Sequence, residues 1–121
     1  MNRARYTGSF VTSLPDWIEP GEFPKVVPIE NNQFEATFRY RATSEDVNKV
    51  ALAGTFNDWN AERHWLNGPD KNGYFHGAII LAKGRYEYKF VIDANLWTHD
   101  PENPDRTGPF TNSVLRVRDD R

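Results

Sequence analysis

These 121 residues are predicted to fold as an all-β sandwich of about seven antiparallel strands, preceded by an extended N-terminal arm. Three observations lead there. Apolar residues recur with a two-residue period in short stretches, most cleanly at Phe34, Ala36, Phe38 and Tyr40 and again at Tyr86, Tyr88, Phe90 and Ile92. Gly and Pro, 8 of each, break the chain at short intervals, and no stretch sustains a long helical period. The 4 Trp, 5 Tyr and 8 Phe form an aromatic-rich composition suited to short strands and tight turns. A small barrel of the oligonucleotide-binding type is the structural alternative, because strand count and turn spacing overlap.

Residues 1–32 carry Pro15, Pro20, Pro24 and Pro28 without a sustained period and read as an arm or linker. Phe10, Leu14, Trp17, Ile18 and Phe23 argue that part of it packs down, the alternative being a disordered tail. The sandwich is expected over 33–118, with 119–121 a charged tail. Its first strand is Phe34–Tyr40, where Glu35, Thr37 and Arg39 alternate with the apolar set. Lys49–Thr55 is the second, closed by Gly54, and Phe56–Asn60 is a turn carrying a tryptophan. Asn72-Gly73 supplies the positive φ of a tight turn into a third strand, Tyr74–Leu81. Ala82-Lys83-Gly84 loops into Arg85–Ile92, with Lys89 on the outward face. Asp93-Ala94-Asn95 turns into Leu96-Trp97-Thr98, a Pro-rich loop follows, and Ser113–Val117 is the last strand.

The length accommodates one domain with one core. A formal net charge of -2, with no concentrated basic stretch, disfavours a nucleic-acid partner. With 0 Cys the core holds by packing alone, without disulfides or a thiolate zinc site. No apolar stretch is long enough for a membrane span, and the start MNRARYTGSF lacks the apolar run of a secretory signal, so a cytoplasmic protein is expected. His64, His76 and His99 lack recognised metal-ligand spacing, and nothing calls for a metal or a cofactor.

Trp59, in a turn, and Trp97, just after one, stand where a core tryptophan is unusual. An exposed indole is a rigid, flat anchor, and the C–H face of a pyranose ring fits such a plate. Lys89 and Asn112 are candidates to hold the sugar hydroxyls. Each has a plainer reading: a solvated lysine, a turn-stabilising asparagine, tryptophans plugging a sandwich end. Trp17 and Trp65 read as structural, Trp65 as lining the core beside Leu66. A glycosidase needs two carboxyl groups about 5–10 Å apart in a cleft. Here Asp58, Glu62, Asp70, Glu87, Asp93, Asp100 and Glu102 are scattered over turns and solvated faces, so no enzyme is expected.

Four pieces of the chain carry a resemblance: VALAGTFNDW (Val50–Trp59), GRYEYKFVID (Gly84–Asp93), LWTHDPENP (Leu96–Pro104) and TNSVLRV (Thr111–Val117). In order and separation Lys49–Val117 resembles carbohydrate-binding module family 48, the fold of the glycogen-binding domain in the beta subunit of AMP-activated protein kinase. The resemblance implies an immunoglobulin-like (E-set) sandwich that binds α-1,4-glucan (glycogen, starch or malto-oligosaccharide) without catalysis. It implies two stacking tryptophans at Trp59 and Trp97, with Lys89 and Asn112 hydrogen-bonding the sugar between them. Two departures stand out. Phe110 replaces the apolar residue usual in the loop before the asparagine, where either it offers a further stacking surface or the loop folds differently, and the turn before Trp97 is one residue longer, a change that could shift Trp97. The partners implied are a glucan and a larger glucan-processing enzyme or kinase assembly. The competing reading is a structural or protein-interaction E-set module that docks or forms a homodimer and binds no sugar.

Overall fold

The computed structural model describes residues 23–118. The expectations for 1–22, including packing of Phe10, Leu14, Trp17 and Ile18, and for the tail 119–121 lie outside them. Eight strands run in order: β1 (Lys25–Pro28), β2 (Gln33–Arg41), β3 (Val50–Gly54), β4 (Tyr74–Ala82), β5 (Gly84–Ile92), β6 (Leu96–Thr98), β7 (Arg106–Thr107) and β8 (Asn112–Val117). They form two separate antiparallel sheets, one of three strands ordered β1-β2-β4 and one of five, in which β3-β5-β8-β7 is the main path and β6 also pairs with β5. Two open sheets facing each other make a sandwich, not the barrel alternative.

Alternation decides what enters the core. On β2 the even residues Phe34, Ala36, Phe38 and Tyr40 are buried, and β4 meets them with Phe75, Ile79 and Leu81. From the other sheet come Val50, Leu52, Tyr88, Phe90, Ile92, Leu115 and Val117. Phe38 faces Gly77 across the β2–β4 ladder, and its ring meets Tyr88 of the opposite sheet edge to face, 5.0 Å between centroids. The open side of Gly77 is taken by Leu66, whose Cα and Cγ would lie 3.7 Å from an added Cβ, which keeps the layer dense.

At one side of the core a polar cluster replaces apolar packing. Tyr88 is fully buried and donates its hydroxyl to Asp100 Oδ2 at 2.7 Å, while Asn103 Nδ2 donates to the same hydroxyl and to the Val114 carbonyl. The Asp100 amide donates to Ser113 Oγ at 2.7 Å, and Asp100 Oδ1 accepts from the Glu102 amide. Each buried polar side chain of this cluster thereby finds a partner, and the Pro-rich loop is clamped to β5 and β8. Beside it Arg39 makes a bidentate pair with Glu102 at 2.8 Å and lies between the Phe23 and Tyr74 rings. Burial is the largest single influence on Arg39 and opposes its charge, but the hydrogen bond to Glu102 and the charges of Glu102, Tyr74 and Asp100 together outweigh it and raise the guanidinium pKa.

Three details differ from the sequence reading. Phe23 packs down as expected, at 3 % exposure, but Lys25–Pro28, within the stretch read as an arm or linker, is an edge strand on β2. The two residues of β7 emerge from the Pro-rich loop and pair with β8. Trp65 does not line the core: it is 42 % exposed, and its neighbour Leu66 is the one buried. Adjacent residues of an extended segment point to opposite faces, so a Trp-Leu pair sends only one side chain inward.

Candidate functional site

Strand β5 brings the site together because it changes partner halfway. On one side its residues 88–92 pair with β3. On the other, residues 84–88 pair with β8 and residues 90–92 with β6. Lys89 sits at the changeover, between Tyr88, opposite Ser113, and Phe90, opposite Thr98. The start of β8, carrying Asn112, and β6, carrying Trp97, therefore both arrive beside Lys89. Tyr88 and Phe90 point into the core, so Lys89 points out of the sandwich.

Trp59 reaches the same face from the end of β3. A single 3-10 turn, Thr55–Asn57, follows Gly54. Gly54 passes so close to β5 that an added Cβ would clash with the Glu87 carbonyl and come 2.8 Å from the Tyr88 Cβ. The buried Asn57 amide holds the turn: Oδ1 accepts from the Gly54 amide at 3.0 Å, and Nδ2 donates to the Leu52 carbonyl and His64 Nδ1, both at 2.9 Å. Burial, helped by the Arg63 charge, lowers the His64 pKa, which favours the neutral ring that can accept at Nδ1. Asp58 and Trp59 are both left-handed, φ 57° and 60°, and the Trp59 amide closes onto the Gly54 carbonyl at 2.8 Å. The chain thus doubles back, and the half-buried indole packs on Ala51, Ala53 and Val91 of the outer sheet face. Two alanines there leave room for a flat ring.

Trp97 stands opposite Val91 on β6 and is 43 % exposed. Its longer turn is set by Asp93 and Ala94 at φ 52° and 61°, and Asp93 Oδ1 accepts from the Asn48 and Lys49 amides at 2.9 Å. The extra residue does not take Trp97 off the sheet. Phe110 lies in the β7–β8 turn, with the Thr111 amide bonded to the Gly108 carbonyl, and its ring is 74 % exposed. Lys89 Nζ donates to the Phe110 carbonyl at 2.6 Å. Asn112 Nδ2 donates to Glu87 Oε1 at 3.0 Å, and Glu87 Oε2 takes Arg85 at 2.9 Å. The Asn112 hydrogen bond, then Arg85, holds the Glu87 carboxyl below its ordinary pKa.

Trp59, Lys89, Trp97, Phe110 and Asn112 surround one open hollow of about 400 Å³. These are the five positions singled out from the sequence. Glu87, which orients Asn112, was passed over among the scattered acids; its place two residues from both Arg85 and Lys89 on one strand face was the available signal. A second hollow of about 460 Å³, between the β2–β3 loop and the approach to β4, is lined by mixed charges such as Arg41, Asp70 and Lys71 and has no aromatic wall. Among the described residues no group of three or more His, Asp or Glu is placed to hold a metal.

The five lining residues supply three aromatic surfaces, one ammonium and one amide, and no carboxylate. Such a face holds a ligand by stacking and by a few directed hydrogen bonds, which is the design of a small ligand-binding module. The chain belongs to the family described as the glycogen recognition site of AMP-activated protein kinase, whose family model matches residues 34–120. It is a carbohydrate-binding module of β-rich fold, and the general work of its family is non-catalytic glucan binding.

Similar proteins include Protein PTST homolog 2, chloroplastic, of Arabidopsis thaliana, 35% identical over 72 residues, which covers 59% of this chain and 13% of that protein. Protein FLOURY ENDOSPERM 6, chloroplastic, of Oryza sativa subsp. japonica is 34% identical over 54% of this chain and 12% of its own length. SNF1 protein kinase subunit beta-2 of Saccharomyces cerevisiae is 31% identical over 54% of this chain and 16% of its own. The matched region is thus a small part of each relative. Among solved structures the enterobactin esterase FES of Shigella flexneri superposes with a TM-score of 0.62 at 17% identity, over 77% of this chain and 32% of that one, a likeness of fold alone.

The two plant relatives overturn the expectation of a cytoplasmic protein, since both are chloroplastic proteins. The expectation rested on a missing apolar run, and plastid-targeting segments are amphipathic and Arg- and Ser-rich instead.

Proposed function

We propose that the hollow on the five-stranded sheet binds an α-1,4-glucan such as glycogen, starch or a malto-oligosaccharide. Trp97 and Trp59 stack on successive sugar rings, Phe110 adds an apolar wall, and Lys89 and Asn112 take the hydroxyls. The single observation that carries this is the convergence of those five side chains on one open hollow. Exposed aromatic rings are costly to hydrate and gain from a sugar's C–H face. With its Nδ2 engaged by Glu87, Asn112 offers Oδ1 as an acceptor beside the Lys89 donor, a pairing that suits two neighbouring hydroxyls. A shallow wet site of this kind binds with a Kd of about 1 μM to 1 mM.

The test is titration with maltoheptaose or β-cyclodextrin, read by tryptophan fluorescence and calorimetry. Trp97→Ala is expected to remove most of the signal. An unchanged wild-type spectrum at millimolar sugar would overturn the reading.

The other sheet supports a second reading, docking to a partner. Val27, Glu35 and Ile80 form one rung across β1, β2 and β4, and Val27 and Ile80 are exposed, as is Ile29 beyond β1. A larger assembly is in keeping with the kinase-subunit relative in yeast. Size-exclusion chromatography separates self-association from a monomer that docks elsewhere.

A further inference from the structure

The hollow does not end the aromatic face. The segment after the Trp59 turn runs along the free side of β3, with the Leu52 amide donating to the His64 carbonyl and the Leu66 amide to the Val50 carbonyl, both at 2.8 Å. This antiparallel bridge sets Trp65 directly opposite Ala51. Ala51 is opposite Val91, and Val91 is opposite Trp97. Residues opposite one another across a sheet share a face. Trp65, Ala51, Val91 and Trp97 are therefore one rung on the outside of the sandwich, with Trp59 lying over its middle. At about 4.8 Å per strand, three steps separate Trp65 from Trp97 by roughly 14 Å. One or two sugar rings do not cover that distance.

Trp65 is built as a plate. Its neighbour Leu66 fills the core position, while the indole stays 42 % exposed. Lys49 Nζ lies 5.1 Å from the ring centroid, a cation–π contact that holds the ring's orientation and leaves an ammonium next to it. The Lys49 backbone is tied to the turn that carries Trp97: its amide donates to Asp93 Oδ1 and its carbonyl accepts from the Asp93 amide, both at 2.9 Å. The two ends of the rung are thus fixed relative to each other.

We infer that Trp65, with Lys49, forms an outer subsite that takes further glucose units of a glucan already seated on Trp97 and Trp59, so that this face selects longer chains. The inference rests on the glucan reading above, and chain length separates the two. Calorimetric titrations of the full chain with maltotriose and with a long linear malto-oligosaccharide compare wild type, Trp65→Ala, Trp65→Phe and Lys49→Ala, with thermal melts to verify folding. Trp65→Ala is expected to weaken the long ligand about tenfold while leaving maltotriose unchanged, Trp65→Phe to recover most of the loss, and Lys49→Ala to give a smaller loss of the same kind. Folded Trp65→Ala that binds both ligands as wild type does, or loses both equally, overturns the outer subsite and leaves the central site standing. Wild type that binds neither ligand overturns the glucan reading and the subsite with it.

Discussion

The Lys89 ammonium and the Phe110 carbonyl, 2.6 Å apart, tie the middle of β5 to the tip of the β7–β8 turn. The bond draws the Phe110 backbone inward and leaves its ring outward, at 74 % exposure. In the proposed site one side chain thus serves both as a hydroxyl donor and as a brace for the neighbouring wall. Lys89→Met keeps the stem and removes both roles. Sugar affinity is expected to fall by about tenfold or more, with the melting temperature within about 2 °C of wild type, since the bond is exposed. Calorimetry and a thermal melt check the two halves of this prediction.

Asn57 fixes Trp59 from below. Its amide bonds four groups around the turn, the Gly54 and Asn60 amides, the Leu52 carbonyl and His64 Nδ1, and its removal leaves the Leu52 carbonyl and the Gly54 amide without that partner. Asn57→Ala is expected to destabilise the fold by about 3 kcal/mol in urea unfolding. The variant that still folds at low temperature is expected to show a red-shifted, more solvated tryptophan spectrum.

Asp100 makes stability depend on pH. Burial, the dominant cause, pushes its carboxyl up to about 6, against the pull of the Tyr88 hydroxyl and the Glu102 amide. The unfolded carboxyl titrates near 3.9. Between those values the folded chain holds a proton that the unfolded chain releases. Asp100's stabilising contribution is therefore full below about pH 4 and lost as pH rises through about 6, a change of roughly 3 kcal/mol from this group alone. Asp100→Asn is expected to flatten the melting-temperature profile between pH 4 and 6 relative to wild type. An identical profile in both proteins would refute the assignment.

Glu102 neutralises a guanidinium that is only 5 % exposed and sandwiched between two rings. Glu102→Ala leaves that charge short of its bidentate partner, and a loss of about 2–3 kcal/mol is expected in chemical denaturation. The double variant Arg39→Met with Glu102→Ala removes the stranded charge as well and is expected to recover part of the loss.

The strands with clean alternation were legible because burial on one face leaves a period of two, as in Phe34–Tyr40 and Tyr86–Ile92. Strand β1 was not, since four residues between Pro24 and the turn at Asn31-Asn32 are too few to show a period. Strand β7 has two residues and depends wholly on its hydrogen bonds to β8. Trp59 and Trp97 stood out by their positions at turns, whereas Trp65 pairs with Ala51 through an isolated bridge that leaves no local pattern. The link between Glu87 and Asn112 spans 25 residues and exists only once β5 and β8 are adjacent.

The side chains around the hollow all come from the five-stranded sheet and its loops, and none from β1, β2 or β4. The molecule therefore has a front that carries the hollow and a back that contributes none of its lining, joined through a dense interior. A fusion, surface attachment or crosslink made through the back would leave the hollow unobstructed, which makes that side the natural handle for immobilising the module on a sensor when the proposed glucan binding is measured.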